Sequence, residues 1–291
     1  MSALSTSVRQ AGEGPFVVRW IDDASLDAVA YSKYWNDEEI ESTKELYVLN
    51  RSFAEVEGYV AQTGLIEDFK YCMARLRDVG IVPGGVGIDV AAGMLWMLPV
   101  LFESLTIEKM ICVEYSKHRL LKLGPKVIEH YKLPAERITL ALGSFYDIRV
   151  PAESVDFAVL CQAFHHADDP VALLRQIRKV LKPGGTLIVL GEHVVEWNVA
   201  SDIAHAVRYL ASRLLPPALR RGPLYSPRGR PVNLIARSEE IFRPDPDLGD
   251  HAYLPRDYRR MFRECGFSVE LVRRNNSSSL SLLARKSARQ A

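Results

Sequence analysis

An acid followed by a run of small residues is the first stretch of the chain that can do chemistry. Asp89-Val90-Ala91-Ala92-Gly93 closes a short apolar run that begins at Gly87. Residues without bulky side chains let the backbone of a turn approach a ligand closely, and Ala91 and Gly93 provide that here. Glu114 lies 25 residues after Asp89, at the tip of a second apolar run, Met110-Ile111-Cys112-Val113. A carboxylate there can accept hydrogen bonds from both hydroxyls of a ribose, and it disfavours a ribose carrying a 2′-phosphate. Further along, His165, His166 and His193 stand just beyond two more apolar runs. Imidazole changes charge near neutral pH, so each is a candidate to take up a proton from a reacting group. Glu192 precedes His193 and can orient it. No spacing among these residues suits metal ligation, and no metal is expected.

These residues act together only if the chain brings them to one place, and the pattern of elements does so. Strands are expected at 87–90, 110–113, 137–142, 155–160 and 186–190, with amphipathic helices between them. One of those helices is clearly punctuated. Asp169 caps it, Pro170 takes its first position, Val171, Leu174, Ile177 and Leu181 form its apolar stripe, and Pro183-Gly184-Gly185 stops it. Strands alternating with helices over this length require parallel pairing, with helices on both faces of the sheet. Ligands of such a sheet bind outside the carboxyl ends of its strands, where the candidate residues fall. Near the end, a helix over 256–265 precedes strands at 267–272 and 280–284, whose short connection makes them an antiparallel hairpin. Two or three helices are expected before the first strand.

Composition sets outer limits. The chain has 291 residues, 48% hydrophobic and 25% charged, with a formal net charge of +1. That is ordinary globular composition, and it argues against a globally basic nucleic-acid binder or an acidic tail protein. The stretch from Val86 to Phe102 is too short, and too interrupted by Asp89, to be a membrane helix. No secretory signal is read at the start, and the four cysteines lie apart among apolar neighbours as buried thiols. A reducing, cytoplasmic setting is expected.

The run Val155-Asp156-Phe157-Ala158-Val159-Leu160, then Phe164-His165-His166, Asp169-Pro170 and Leu181-Lys182-Pro183-Gly184-Gly185-Thr186-Leu187 resembles class I S-adenosylmethionine-dependent methyltransferases, most closely their small-molecule branch. The resemblance spans roughly residues 84–192. It implies an α/β, Rossmann-like, seven-stranded and mostly parallel sheet with an antiparallel C-terminal strand. It also implies S-adenosyl-L-methionine as cofactor, leaving as S-adenosyl-L-homocysteine. The family's first motif, an acid followed by G-x-G-x-G, corresponds to Asp89 through Leu95, with Ala91 and Leu95 where glycines are usual. Leu95 is expected to add bulk and tighten the space for the methionine part. By the same resemblance Glu114, with Tyr115 beside it, holds the ribose. Ser144 and Phe145 hold the adenine, and Cys161 and Gln162 reach the methionine part. Tyr31, Tyr34 and Trp35 suggest an aromatic lid over the cofactor, with Tyr34 placed among its contacts.

The expected organisation is an N-terminal helical lid over 1–80, the cofactor-binding core over 81–192, an inserted cap over 193–252, and the closing helix and strands over 253–291. Seven arginines and no acid occur between Arg208 and Arg237, followed by Glu239, Glu240, Asp245, Asp247 and Asp250. Arginine's planar fork suits carboxylate and phosphate, so these residues read either as a site for an anionic acceptor or as solvated and paired with the acids that follow; the expected acceptor is a small metabolite, such as a secondary metabolite or a sugar- or nucleotide-linked one, methylated on oxygen or nitrogen. Membrane and nucleic acid are not expected as partners, and a homodimer is compatible with the pattern. An RNA or protein acceptor is the first alternative. A non-catalytic cofactor-binding relative is the second.

Overall fold

The computed structural model describes residues 15–28, 35–44, 47–194, 251–275, 277 and 279–287. The described chain runs β1 (Phe16–Arg19), α1 (Asp23–Ala28), α2 (Glu38–Ser42), α3 (Phe53–Thr63), α4 (Leu65–Asp78), β2 (Gly84–Val90), α5 (Leu98–Ser104), β3 (Thr106–Glu114), α6 (Gly124–His130), β4 (Ile138–Leu142), β5 (Val155–Cys161), α7 (Pro170–Val180), β6 (Leu181–Glu192), α8 (Pro255–Glu264), β7 (Phe267–Val272) and β8 (Leu280–Lys286). The strands form one sheet in the order β1-β4-β3-β2-β5-β6-β8-β7. The pairs from β1 through β6 are parallel, and β8 runs antiparallel to both β6 and β7. The expected hairpin at the end of the chain is present.

An eighth strand, β1, joins the seven expected. Its four residues, FVVR, pair with Thr139 to Leu142 of β4. So short a segment has no readable period, and the long-range pairing decides its conformation. The reading of residues 1–80 as helical therefore omits a strand. Two boundaries also differ. β6 starts at Leu181, because Val155 pairs with Leu181 before a register shift takes the ladder on to Thr186. The helical stretch after Ser116 opens with a π turn at Arg119–Leu123 and becomes α-helical only at Gly124.

Successive residues of β5 face two separate cores. Phe157 and Val159 pack with Phe69, Leu76 and Leu101 from α4 and α5, whereas Val155, Ala158 and Leu160 pack with Leu173, Ile177 and Phe262 from α7 and α8. A strand buried on both faces reads as a continuous apolar run, and for that reason it was legible. Asp169 caps α7 as expected, accepting from Ala172 N at 2.8 Å. A capping box at Ser52 and Glu55 starts α3. Buried Asp68 on α4 receives Arg274 Nε at 2.8 Å and Ser277 Oγ at 2.7 Å, which fixes the β7–β8 turn to the helical layer. Among the described residues no helix is long and apolar enough to cross a membrane.

Candidate active site

From β2 the chain moves to β3 and β4 on one side of the sheet, then returns to β5 on the other. The carboxyl ends of β2 and β5 therefore diverge at a switch point, and a cleft opens there. Its floor is the turn after β2. Ala91 and Gly93 both have φ of 57°, and Leu95 has φ of 71°. All three positions of the first motif thus hold left-handed backbone, although only one is a glycine, so the two others store strain. At Gly93 an added Cβ would meet nothing within 4 Å, which leaves the face of the turn open to a ligand. Leu95 corrects an expectation. Its side chain is fully buried in the core under α5 rather than in the cleft, and Gly124 makes room for it, since a Cβ there would lie 2.9 Å from Leu95 Cδ1.

Glu114 ends β3 beside this turn. One carboxylate oxygen accepts from Gly93 N at 2.7 Å, and the other from Tyr115 N at 2.9 Å and Ser116 N at 2.6 Å. Three backbone donors therefore aim the carboxylate at the cleft, and a two-oxygen acceptor has about one further lone-pair site to offer. Asp89 is 2% exposed and also lines the cleft. Burial, and then the neighbouring Glu114 charge, push its carboxyl up to about 8. Tyr115 lines the same wall, its hydroxyl donating to Leu26 O at 2.9 Å. Phe145 faces the cleft as well, edge-on to Tyr146. Ser144 does not. It lies along a separate groove with Trp20 and Arg149, and its Oγ accepts from Tyr146 N at 3.1 Å.

On the β5 side, Cys161 and Gln162 line the cleft, and Gln162 N donates to Leu190 O at 2.8 Å. Burial raises the Cys161 thiol well above its ordinary value, so it is a neutral wall rather than a nucleophile. The three histidines come together, with ring centroids 4.3 Å apart between His165 and His166 and again between His165 and His193. Only His166 lines the cleft. His165 is buried, and Glu192, also buried, approaches its Nδ1 at 3.2 Å while accepting from Phe164 N at 3.2 Å. Glu192 therefore orients His165, a partner that adjacency in sequence did not indicate. This strand-end residue turns toward the loop of the neighbouring strand, the β5 end.

The roof was not read from sequence, apart from Trp35. Tyr34, the other expected lid contact, lies outside the described residues together with Tyr31, and so do the Arg208–Arg237 stretch and the acids after it. Trp35 covers the cleft, its ring meeting His166 edge-on at 5.0 Å. Lys44 Nζ and Arg119 Cζ stand 4.8 and 4.7 Å from the centroid of the same ring. Buried Glu41 on α2 accepts from Arg119 Nε at 2.5 Å and Nη2 at 2.8 Å, and Lys44 Nζ lies 2.9 Å from it. Arg119 carried one usable signal, its place at the start of the helical stretch after β3. Glu41 and Lys44 carried none.

Residues 88–189 match the family model of a methyltransferase domain. The ubiquinone/menaquinone biosynthesis C-methyltransferase UbiE of Syntrophotalea carbinolica is 28% identical over 124 residues, 42% of this chain and 50% of its own. The chain spans about half the length of the curated relatives it matches. Among solved structures, the mitomycin 7-O-methyltransferase MmcR superposes with a TM-score of 0.54 at 13% identity, over 91% of this chain and 62% of that one. A chain of the complex between the Haloferax volcanii Trm112 methyltransferase activator and a methyltransferase gives 0.51 at 16% identity, over 79% and 93%.

Residues 88–189 thus form a class I S-adenosylmethionine-dependent methyltransferase domain, and S-adenosylmethionine is its cofactor. The cleft fits that group. Its turn is open at Gly93, a carboxylate held by backbone donors stands beside that turn at Glu114, and a buried carboxyl at Asp89 lines the same cleft.

Proposed function

We propose that the protein transfers the methyl group of S-adenosylmethionine to oxygen or nitrogen of a small molecule. The observation that carries this reading is the pairing of the open Gly93 turn with the Glu114 carboxylate in a cleft that an imidazole, His166, also lines. The cofactor supplies an already activated, electrophilic methyl group. What remains for the protein is to align, to exclude water and to take up the acceptor's proton.

Each task has candidate residues. Glu114 and the turn hold the nucleoside end, with Tyr115 and Phe145 as its walls. Cys161 and Gln162 border the reacting end and offer no competing nucleophile there. Trp35, closing over His166, keeps water from the reacting end. His166 takes the proton of a hydroxyl or amine acceptor, and the Glu192–His165 pair fixes the turn that presents it. His193 stands further out, exposed, beside the start of the inserted segment. An anionic acceptor remains the favoured kind on the strength of the arginine-rich insertion.

The test is calorimetry with S-adenosylhomocysteine, followed by a screen of hydroxyl, amine and activated-carbon acceptors using a labelled methyl donor. His166→Ala is expected to cut turnover at least tenfold with little change in cofactor affinity. Wild-type turnover in that variant removes His166 as the base. Transfer to carbon is a second reading, favoured by the similarity to a C-methyltransferase. Label appearing only in carbon acceptors selects it.

A further inference from the structure

Two residues that follow the turn after β2, Met94 and Trp96, line more than the cleft. They also line a second cavity of about 710 Å³, walled by residues of α3, α5 and α6. That volume falls within the roughly 300–1,000 Å³ usual for small-molecule sites. Its walls are apolar: Val56 and Val60, one helical turn apart on α3, Val100 and Phe102 from α5, Val127 from α6, and Leu133 just beyond α6. The charged residues of the described lining, Glu57, Glu103 and Lys132, are all exposed. Glu57 is engaged already, accepting from the Tyr131 hydroxyl at 2.6 Å. Two acids and one base at the rim favour neither sign, so the occupant that suits the interior is neutral. It is also narrow. Val56, Val60, Val100 and Val127 are only 6%, 8%, 8% and 2% exposed, so the apolar wall is recessed between the helices. A partner helix, about 10–12 Å across with its side chains, does not reach a wall so recessed, whereas a hydrocarbon chain does.

We propose that this cavity takes the hydrocarbon tail of the methyl acceptor, with the acceptor's polar head at the Met94–Trp96 junction, turned to the cleft. The inference rests on the methyl-transfer reading above and narrows its acceptor to an amphiphile: a head bearing the hydroxyl or amine, on a neutral chain of several carbons. Continuity of the two spaces carries the assignment. Met94 and Trp96 line the cleft together with Cys161 and Gln162, which border its reacting end. A head at the junction is therefore in the space where the methyl group is offered, while the chain leaves it along α5 and α6. The cavity supplies area rather than polar contacts, so affinity should grow with chain length, by roughly three- to fourfold for each methylene buried.

Calorimetry on the full chain, with S-adenosylhomocysteine present, tests this with straight-chain primary alcohols from butanol to decanol. Affinity is expected to rise by roughly three- to fourfold per added methylene until the cavity is filled. Phe102→Glu and Leu133→Glu each place a charge on a half-buried wall residue, and each is expected to weaken decanol about tenfold or more while S-adenosylhomocysteine stays within about twofold. The variants lie on separate segments, and retained S-adenosylhomocysteine affinity reports that each is folded. Orientation is read from Trp96, one of four tryptophans. Decanol brominated beside its hydroxyl should quench the emission more than decanol brominated at the far end, and that difference should vanish in Trp96→Phe. Affinity independent of chain length overturns the proposal, as does decanol affinity unchanged in both variants, or stronger quenching by the far-end bromine. S-adenosylhomocysteine binding without alcohol binding overturns the tail assignment alone, and a stable dimer in that case means that a second copy covers the cavity. Alcohol binding without S-adenosylhomocysteine binding breaks the methyl-transfer reading, and the acceptor assignment falls with it.

Discussion

The floor of the cleft is tied by backbone hydrogen bonds together with the Glu114 carboxylate, and its roof by side chains. On the floor, Ala92 N donates to Val113 O at 3.0 Å, Gly143 N to Glu114 O at 2.9 Å, and Gln162 N to Leu190 O at 2.8 Å, so each turn is a continuation of its neighbour's strand end. In the roof, the ties are Glu41 with Arg119 and Lys44, Glu38 with Lys122, and Asn36 Oδ1 accepting from Lys117 N at 2.9 Å. Backbone ties come with the fold and cannot be adjusted one at a time. Side-chain ties can be, so the roof is where one such domain can be made to differ from another without disturbing the sheet.

The largest effect expected from single substitutions falls on the floor, at Asp89. Its carboxyl is raised in the folded protein, so its contribution to stability is fully present below the unfolded value near 4. That contribution is lost as pH rises through about 8. Denaturation of cofactor-free protein at about pH 5 and about pH 9 should therefore show a loss on the order of 3–5 kcal/mol that Asp89→Asn does not suffer. Parallel behaviour of the two proteins would mean that the Asp89 carboxyl is not raised by its burial. Next comes Glu114→Ala, which strands three backbone donors and removes the proposed ribose contact. Affinity for S-adenosylhomocysteine is expected to fall by about 1.5–3 kcal/mol, with unchanged affinity counting against the ribose role.

The roof should respond less, and locally. Glu41→Gln is expected to cost about 1–3 kcal/mol, given that its partners are partly exposed. Hydrogen exchange should quicken over residues 38–44 and stay unchanged over 89–93; a uniform change would mean that floor and roof are one unit. Gly124→Ala presses on Leu95 beneath the floor and should cost about 1–2 kcal/mol, less when Leu95→Ala is also present. The smallest effect is expected from Ser144→Ala, within about 0.5 kcal/mol of wild-type cofactor affinity, because its hydroxyl lies along a different groove.

The same contrast explains what could be read in the sequence. The sheet was legible where strands are buried on both faces and punctuated by caps, as from Val155 to Val180. The floor was legible because Asp89, Gly93 and Glu114 act through local turns whose requirements appear in residue type. β1 was not legible, since four residues have no period. The Glu41–Arg119 pair joins residues 78 apart and depends on how α2 settles on the sheet, which no local pattern encodes. The contact of Glu192 with His165 was missed for a related reason: a strand end can commit a side chain to the loop of a neighbouring strand. Leu95 shows the converse, a bulky residue accepted at a glycine position because a glycine 29 residues later gives way.

The short β1 has a practical consequence. It shields β4, whose residues Ile138 to Leu142 are all buried and carry no charge. Trimming the protein back to residue 20 would bare a row of unpaired backbone N–H and C=O groups flanked by apolar side chains, the kind of template on which other chains assemble. Such a truncated protein should keep its cleft and yet precipitate on concentration, and its poor behaviour would say nothing about its chemistry.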